Sequence, residues 1–173
     1  MHRDRLLNVT IWCVQAGRVC NLLAVMLLTG VLVASVLARS VIVAQLTAKY
    51  GAAADVGAIL AFLRIVLLCA LPVGVIVECM LRALRAILAT VAAGEPFAAA
   101  NAARLRTIGW MLLALQLVDL LYGALVLAAR HLHIDYATWQ PSFVGWFAVL
   151  VAFVLVRVFA AGTTMRDDLA GTV

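Results

Sequence analysis

Four apolar runs dominate the chain, near residues 20–37, 56–80, 107–128 and 143–160, each bounded by polar or glycine-containing segments. At about 1.5 Å per residue, runs of this length match a hydrocarbon layer of about 30 Å, so each predicts a transmembrane helix. Ahead of the first run, Leu7, Ile11 and Val14 recur at helical spacing with Trp12 beside them, while Arg3, Asp4, Arg5, Asn8, Gln15 and Arg18 fall elsewhere. That pattern predicts an amphipathic helix over residues 1–19, lying on the membrane surface. A basic start and an apolar run ending in Val36-Leu37-Ala38 also loosely fit a signal peptide. The long polar lead-in and the length of the apolar run argue against cleavage. Residues 39–55 are mixed, with Gln45, Lys49, Tyr50 and Gly51, and read as an outer loop with room for an interfacial helix.

The second helix is predicted to continue past its apolar part through Arg82 and Arg85 to residue 93, with Pro72 loosening its middle. Gly94 is the expected stop, Pro96 the expected first-turn residue of the next helix, and Glu95 suits that helix's positive end. From Phe97 to Arg130 the pattern sustains one helix of 34 residues. Its length of roughly 50 Å exceeds what a bilayer core accommodates. The surplus lies at residues 97–106, so the second and third spans should form a helical hairpin that projects into water. Residues 131–142 form a second outer loop, in which Tyr136 and Trp139 suit the interface, and residues 161–173 a short polar tail.

Composition agrees with this picture: 67% of the 173 residues are hydrophobic and only 12% charged, which excludes an ordinary soluble domain. The net charge of +5 does not indicate nucleic acid, because the basic residues flank apolar runs rather than clustering. Arg3, Arg5, Arg18, Arg82, Arg85, Arg104, Arg106, Arg157 and Arg166 fall on one side of the predicted topology, and Arg39, Lys49, Arg64 and Arg130 on the other. The richer side is cytoplasmic by the positive-inside rule, so both termini and the hairpin are expected there. Cys13, Cys20, Cys69 and Cys79 include no C-x-x-C pair and read as packing residues. No linker divides the chain, so residues 1–173 are expected to form a single membrane domain: all-α, with four transmembrane helices, an amphipathic N-terminal helix and the cytoplasmic hairpin extension.

The segment Gly94-Glu95-Pro96-Phe97, with Asn101, Leu105-Arg106 and Ile108-Gly109-Trp110, and the ending Val158-Phe159, Gly162, Met165, Asp168-Leu169, Thr172-Val173, resembles the bacterial membrane proteins filed as "domain of unknown function 2975". The resemblance implies a four-span protein and, as a partner, a small helix-turn-helix regulator of the kind often encoded beside such proteins. Ala100 and Ala170 depart from the more polar residues that the resemblance leads one to expect.

Charged groups inside a span cost roughly 2.5–3.5 kcal/mol each on insertion scales, so each needs a partner or a use. Arg64 and Asp119 lie at similar depth in adjacent antiparallel spans and are expected to pair, with Gln116 one turn away. Glu78 has Arg82 four residues on and Arg157 at comparable depth. These five, Arg64, Asp119, Gln116, Glu78 and Arg157, form the candidate intramembrane network, read first as structural and second as an ion or proton path. His131, His133 and Asp135 alternate in a loop that offers no further metal ligand, and a solvated loop is the plainer reading. Glu95, Phe97, Asn101, Arg104 and Arg106 form the candidate cytoplasmic contact surface for lipid headgroups, phosphate or protein. No catalytic motif and no cofactor-binding pattern is present in the sequence. The expected function is therefore a non-enzymatic membrane component that regulates or senses through protein contacts, or, as the alternative, a small channel or transporter acting as a homo-oligomer.

Overall fold

The structure, a computed structural model, describes the backbone of residues 2–51, 55–131 and 138–170, and the side chains of these apart from 2–4, 50 and 166–170. Nothing between His2 and Leu37 is strong enough to break a helix: Gly17 and Gly30 are isolated and no proline occurs. The two elements expected over residues 1–37 are accordingly one helix, α1 (His2–Leu37). Its stretch Arg5–Leu37 is long and apolar enough to cross a membrane, so a separate surface helix is not seen.

A break at Ala38 separates α1 from α2 (Arg39–Tyr50), the helix anticipated within the first loop. Gly51 ends α2 with φ 84° and donates its N–H to the carbonyl of Thr47 at 2.9 Å. Asp55 opens α3 (Val56–Ala92) by accepting the N–H of Ala58 at 3.0 Å, the usual service of an aspartate at a helix N-cap. Pro72 lies inside α3, whose 37 residues continue past the apolar run as expected. The last two helices are α4 (Ala99–His131) and α5 (Phe143–Ala170). α5 carries helix well beyond residue 160, where a short polar tail was expected.

Four of these helices, α1, α3, α4 and α5, are long and apolar enough to span a bilayer. Their surfaces are inverted relative to a water-soluble protein. Leu22, Leu23, Met26, Leu27, Val75, Leu121, Phe147 and Leu150 are all exposed, while Ser35, Glu78, Asn101 and Gln116 are buried. Apolar residues outside and polar residues inside are what a hydrocarbon solvent selects.

The chain forms two compact units, one from Met1–Asn21, Ile76–Gln116 and Ser142–Val173, the other from Leu22–Val75 and Leu117–Pro141, in each case as far as the residues are described. In the first unit the start of α1 runs antiparallel to the end of α3, with Gly17 against Leu81 and Arg18 against Glu78. There α4 is antiparallel to α5: Trp110 meets Phe153 edge-on with ring centroids 5.4 Å apart. In the second unit the beginning of α3 lies beside the end of α4 around a groove of about 370 Å³, lined by Ala58, Ala61, Phe62, Ile65, Leu125, Ala128 and Ala129.

Candidate functional site

The connection between α3 and α4 is built by its sequence almost residue by residue. Gly94 takes φ 82°, which a side chain disfavours, and its N–H reaches the carbonyl of Val91 at 3.1 Å while that of Glu95 reaches Thr90 at 2.8 Å. These two bonds are a Schellman ending, and they satisfy carbonyls that the helix leaves open. Pro96 does not begin α4 as expected. It is the second residue of a turn closed by Ala98 N–H to Glu95 O at 3.2 Å, a position that its fixed φ suits, and α4 starts three residues later.

Asn101 is fully buried beneath this turn, at 0% exposure, which corrects its expected place on a contact surface. Its Nδ2 donates to Thr90 Oγ1 at 2.7 Å and to the Pro96 carbonyl at 3.0 Å, and its Oδ1 accepts from Arg104 Nη1 at 2.8 Å. Arg104 is itself half-buried and donates to the Ala86 carbonyl at 3.1 Å. One amide therefore joins the last turn of α3, the turn, and the first turn of α4. Phe97 fastens the same turn to α5, its ring centroid 5.6 Å from that of Phe159 and its edge over Gly162, where an added Cβ would lie 3.0 Å from ring carbons. The two motif stretches, one central and one near the C-terminus, thus meet in space. Glu95 and Arg106 remain exposed, and Phe97 is partly so.

Within the same unit Glu78 Oε1 accepts Arg18 Nε at 3.0 Å, Arg18 Nη2 at 2.6 Å and Arg82 Nε at 2.8 Å. The partner expected on the fourth span, Arg157, is exposed and makes no ion pair among the described residues. Arg18, four residues after buried Val14, takes that place because α1 rather than α5 lies against this face of α3. The i,i+4 bond from Arg82 is present as expected. Glu78 Oε2 is buried without a hydrogen-bond partner. Gln116, also buried, donates to the Ser142 carbonyl at 3.2 Å and packs so closely on Gly145 that a Cβ there would collide with its amide.

In the second unit Arg64 does not pair with Asp119. Its Nε donates to Ser35 Oγ at 3.2 Å and its Nη2 to the Ser35 carbonyl. Asp119 is half-buried in α4 and has no ion pair among the described residues. His131 is exposed at the end of α4, whereas His133, Asp135 and Tyr136 lie outside the described residues, as do the side chains of Asp167 and Asp168.

Sequence reasoning missed Arg18, Ser35, Thr90 and Gly162 as partners. Arg18 carried a readable signal, its helical spacing from Val14; the others did not. Comparison with curated proteins and with solved structures finds no match. Residues 42–173, which include the whole α3–turn–α4 clamp and its α5 contacts, match the family described as "Protein of unknown function (DUF2975)", and the chain belongs to that family.

Proposed function

We propose that this is a bacterial inner-membrane protein with both termini in the cytoplasm, which regulates or senses by presenting the end of the α3–α4 hairpin to a protein partner. The observation that carries this reading is Asn101. A fully buried amide with three hydrogen bonds is an expensive way to build a mere connection, because each bond requires the turn to hold one geometry. A fixed exposed turn suits recognition, since little ordering entropy remains to be lost on binding. The contact surface is narrower than the sequence suggested: Glu95, Arg106 and the open edge of Phe97, with Asn101 and Arg104 as its supports. A photo-crosslinker at residue 106 in growing cells is expected to trap one protein of discrete mass, absent when the crosslinker stands at exposed Val75 in the apolar part of α3. Adducts with lipid alone would count against the reading.

Asp119 favours the second reading, an oligomeric channel or transporter. A half-buried intramembrane carboxylate with no ion pair among the described residues calls for a counter-charge from elsewhere, in a second copy or a permeating cation. Cation flux in liposomes that disappears in Asp119→Asn would make this the leading reading.

A further inference from the structure

We propose that Arg82 and Arg85 form a binding site for the phosphate of an anionic phospholipid headgroup, with Glu78 as the residue that aims Arg82. Arg82 is tied by Nε alone to Glu78 Oε1, at 2.8 Å, while 68% of its side chain stays exposed. That bond engages Nε and leaves the two Nη groups without a hydrogen bond among the described residues, and such a pair is the fork that grips a phosphate with two parallel hydrogen bonds. Arg85 is exposed three residues on, on the same stripe of α3, where side chains at this spacing stand about 5–6 Å apart at Cβ. Arg104, whose Nη1 rests on the Ala86 carbonyl, brings a further positive charge to this level. Among the described residues the carboxylate paired with these arginines is Glu78, and Arg18 and Arg82 both engage it.

Depth selects a lipid over a soluble phosphate. The apolar part of α3 ends near residue 80, so Arg82 and Arg85 stand about 3 and 7.5 Å beyond it. The headgroup layer is roughly 5–7 Å thick on each side of the hydrocarbon. Val75, apolar and exposed seven residues before Arg82, lies on the same stripe of α3 within its apolar part, so the stripe passes from apolar to basic at this level. Arginine near an anionic leaflet gains about 1 kcal/mol from that charge in general, about fivefold in retention; a fixed fork adds selectivity for the phosphate itself.

The full chain, purified in detergent with a mixture of phosphatidylglycerol and phosphatidylcholine, is read by native mass spectrometry for lipid retained. Arg82→Gln and Arg85→Gln are each expected to reduce retained phosphatidylglycerol about fivefold, whereas Arg39→Gln, an exposed charge on α2, leaves it unchanged. Arg82→Lys keeps the charge but not the fork, and is expected to fall with Arg82→Gln. Helical content and thermal midpoint of each variant are followed, and the surface position of Arg85 keeps that variant informative if Arg82 variants misfold. Unchanged retention in Arg85→Gln and Arg82→Gln overturns the site, and an equal loss in Arg39→Gln reduces it to general charge and overturns it too. Full retention in Arg82→Lys overturns the role of Glu78. Displacement of the lipid by millimolar inorganic phosphate overturns the lipid source in favour of a soluble phosphate.

Discussion

The guanidinium of Arg64 donates to the main-chain oxygen of Ser35, two residues before α1 ends at Leu37. Around the break at Ala38 the backbone bonds run from Ala38 N–H to Ala34 O and from Ile42 N–H to Ala38 O, and the Ser35 carbonyl is served by the arginine. An open carbonyl in a region without water is costly, and a cation near a helix C-terminus is favoured by its dipole. An arginine that looked like half of an ion pair is thus the cap of a broken helix.

Replacing Arg64 with Ala is therefore expected to destabilise the protein by about 1–3 kcal/mol, the cost of leaving a buried acceptor unmade. Asp119→Asn removes an intramembrane charge with no ion pair among the described residues and is expected to leave stability unchanged or to raise it, by up to about 2.5–3.5 kcal/mol, but not to lower it. Exchanging the two charges should not rescue Arg64→Ala. Thermal unfolding in detergent, followed by circular dichroism, checks all three; rescue by the exchange would restore the ion pair.

Glu78 and Arg82 share a bond but not a burden. The side chain of Arg18 is 18% exposed and depends on Glu78, whereas that of Arg82 is 68% exposed. Glu78→Leu should lower the unfolding midpoint by several degrees because it leaves Arg18 without its acceptor, while Arg82→Leu should leave it close to the parent. The double change Arg18→Leu with Glu78→Leu should recover most of the loss, since an apolar pair can replace a buried ion pair. A double variant no more stable than Glu78→Leu alone would mean that other groups depend on Arg18.

Much of the architecture could be read from apolar periodicity, because a membrane span must be both long and apolar and few other segments are. Gly94 was readable for the same kind of reason: only a residue tolerant of positive φ closes a helix in this way. The partners of Arg64 and Asn101 were not. The end of the first span near Leu37 was legible from the mixed segment after it, but nothing in the sequence says which side chain serves the carbonyl left open there, so the bond from Arg64 to Ser35 was not. Asn101 is polar on a helix that was expected to stand in water, and its burial arises only when the turn at Pro96 folds over it. The surface helix expected over residues 1–19 is not seen as a separate element, for a simpler reason: polar residues at helical spacing do not distinguish a surface helix from the first turns of a longer one.

Asn101→Leu keeps the volume of the site but removes its three hydrogen bonds, leaving Thr90, Pro96 and Arg104 short of a partner. The expected loss is about 1–3 kcal/mol, with a local signature: limited proteolysis at residues 94–98 should accelerate well before global unfolding, since the turn loses its anchor. Gly94→Ala, which imposes a side chain on φ 82°, should cost about 1–2 kcal/mol and open the same bonds. Cleavage that speeds up only in step with global unfolding would show that the turn is held by something other than Asn101.

The contact of Phe97 with Gly162 offers a test of whether the central and C-terminal motifs act together. A Cβ at residue 162 would stand 3.0 Å from Cδ1 and Cε1 of the Phe97 ring, tighter than ordinary packing, and the ring is also held against Phe159. Gly162→Val therefore must push the ring aside, at a cost of about 1–3 kcal/mol as for other overpacked sites. If the clash is the whole cause, Phe97→Ala should remove it, so the double variant is expected to be no less stable than Phe97→Ala alone. The interaction in such a cycle should amount to about 0.5–3 kcal/mol, the range for residues in contact. Strict additivity would mean that the glycine serves the helix rather than the ring, and that the two motifs are adjacent without being coupled.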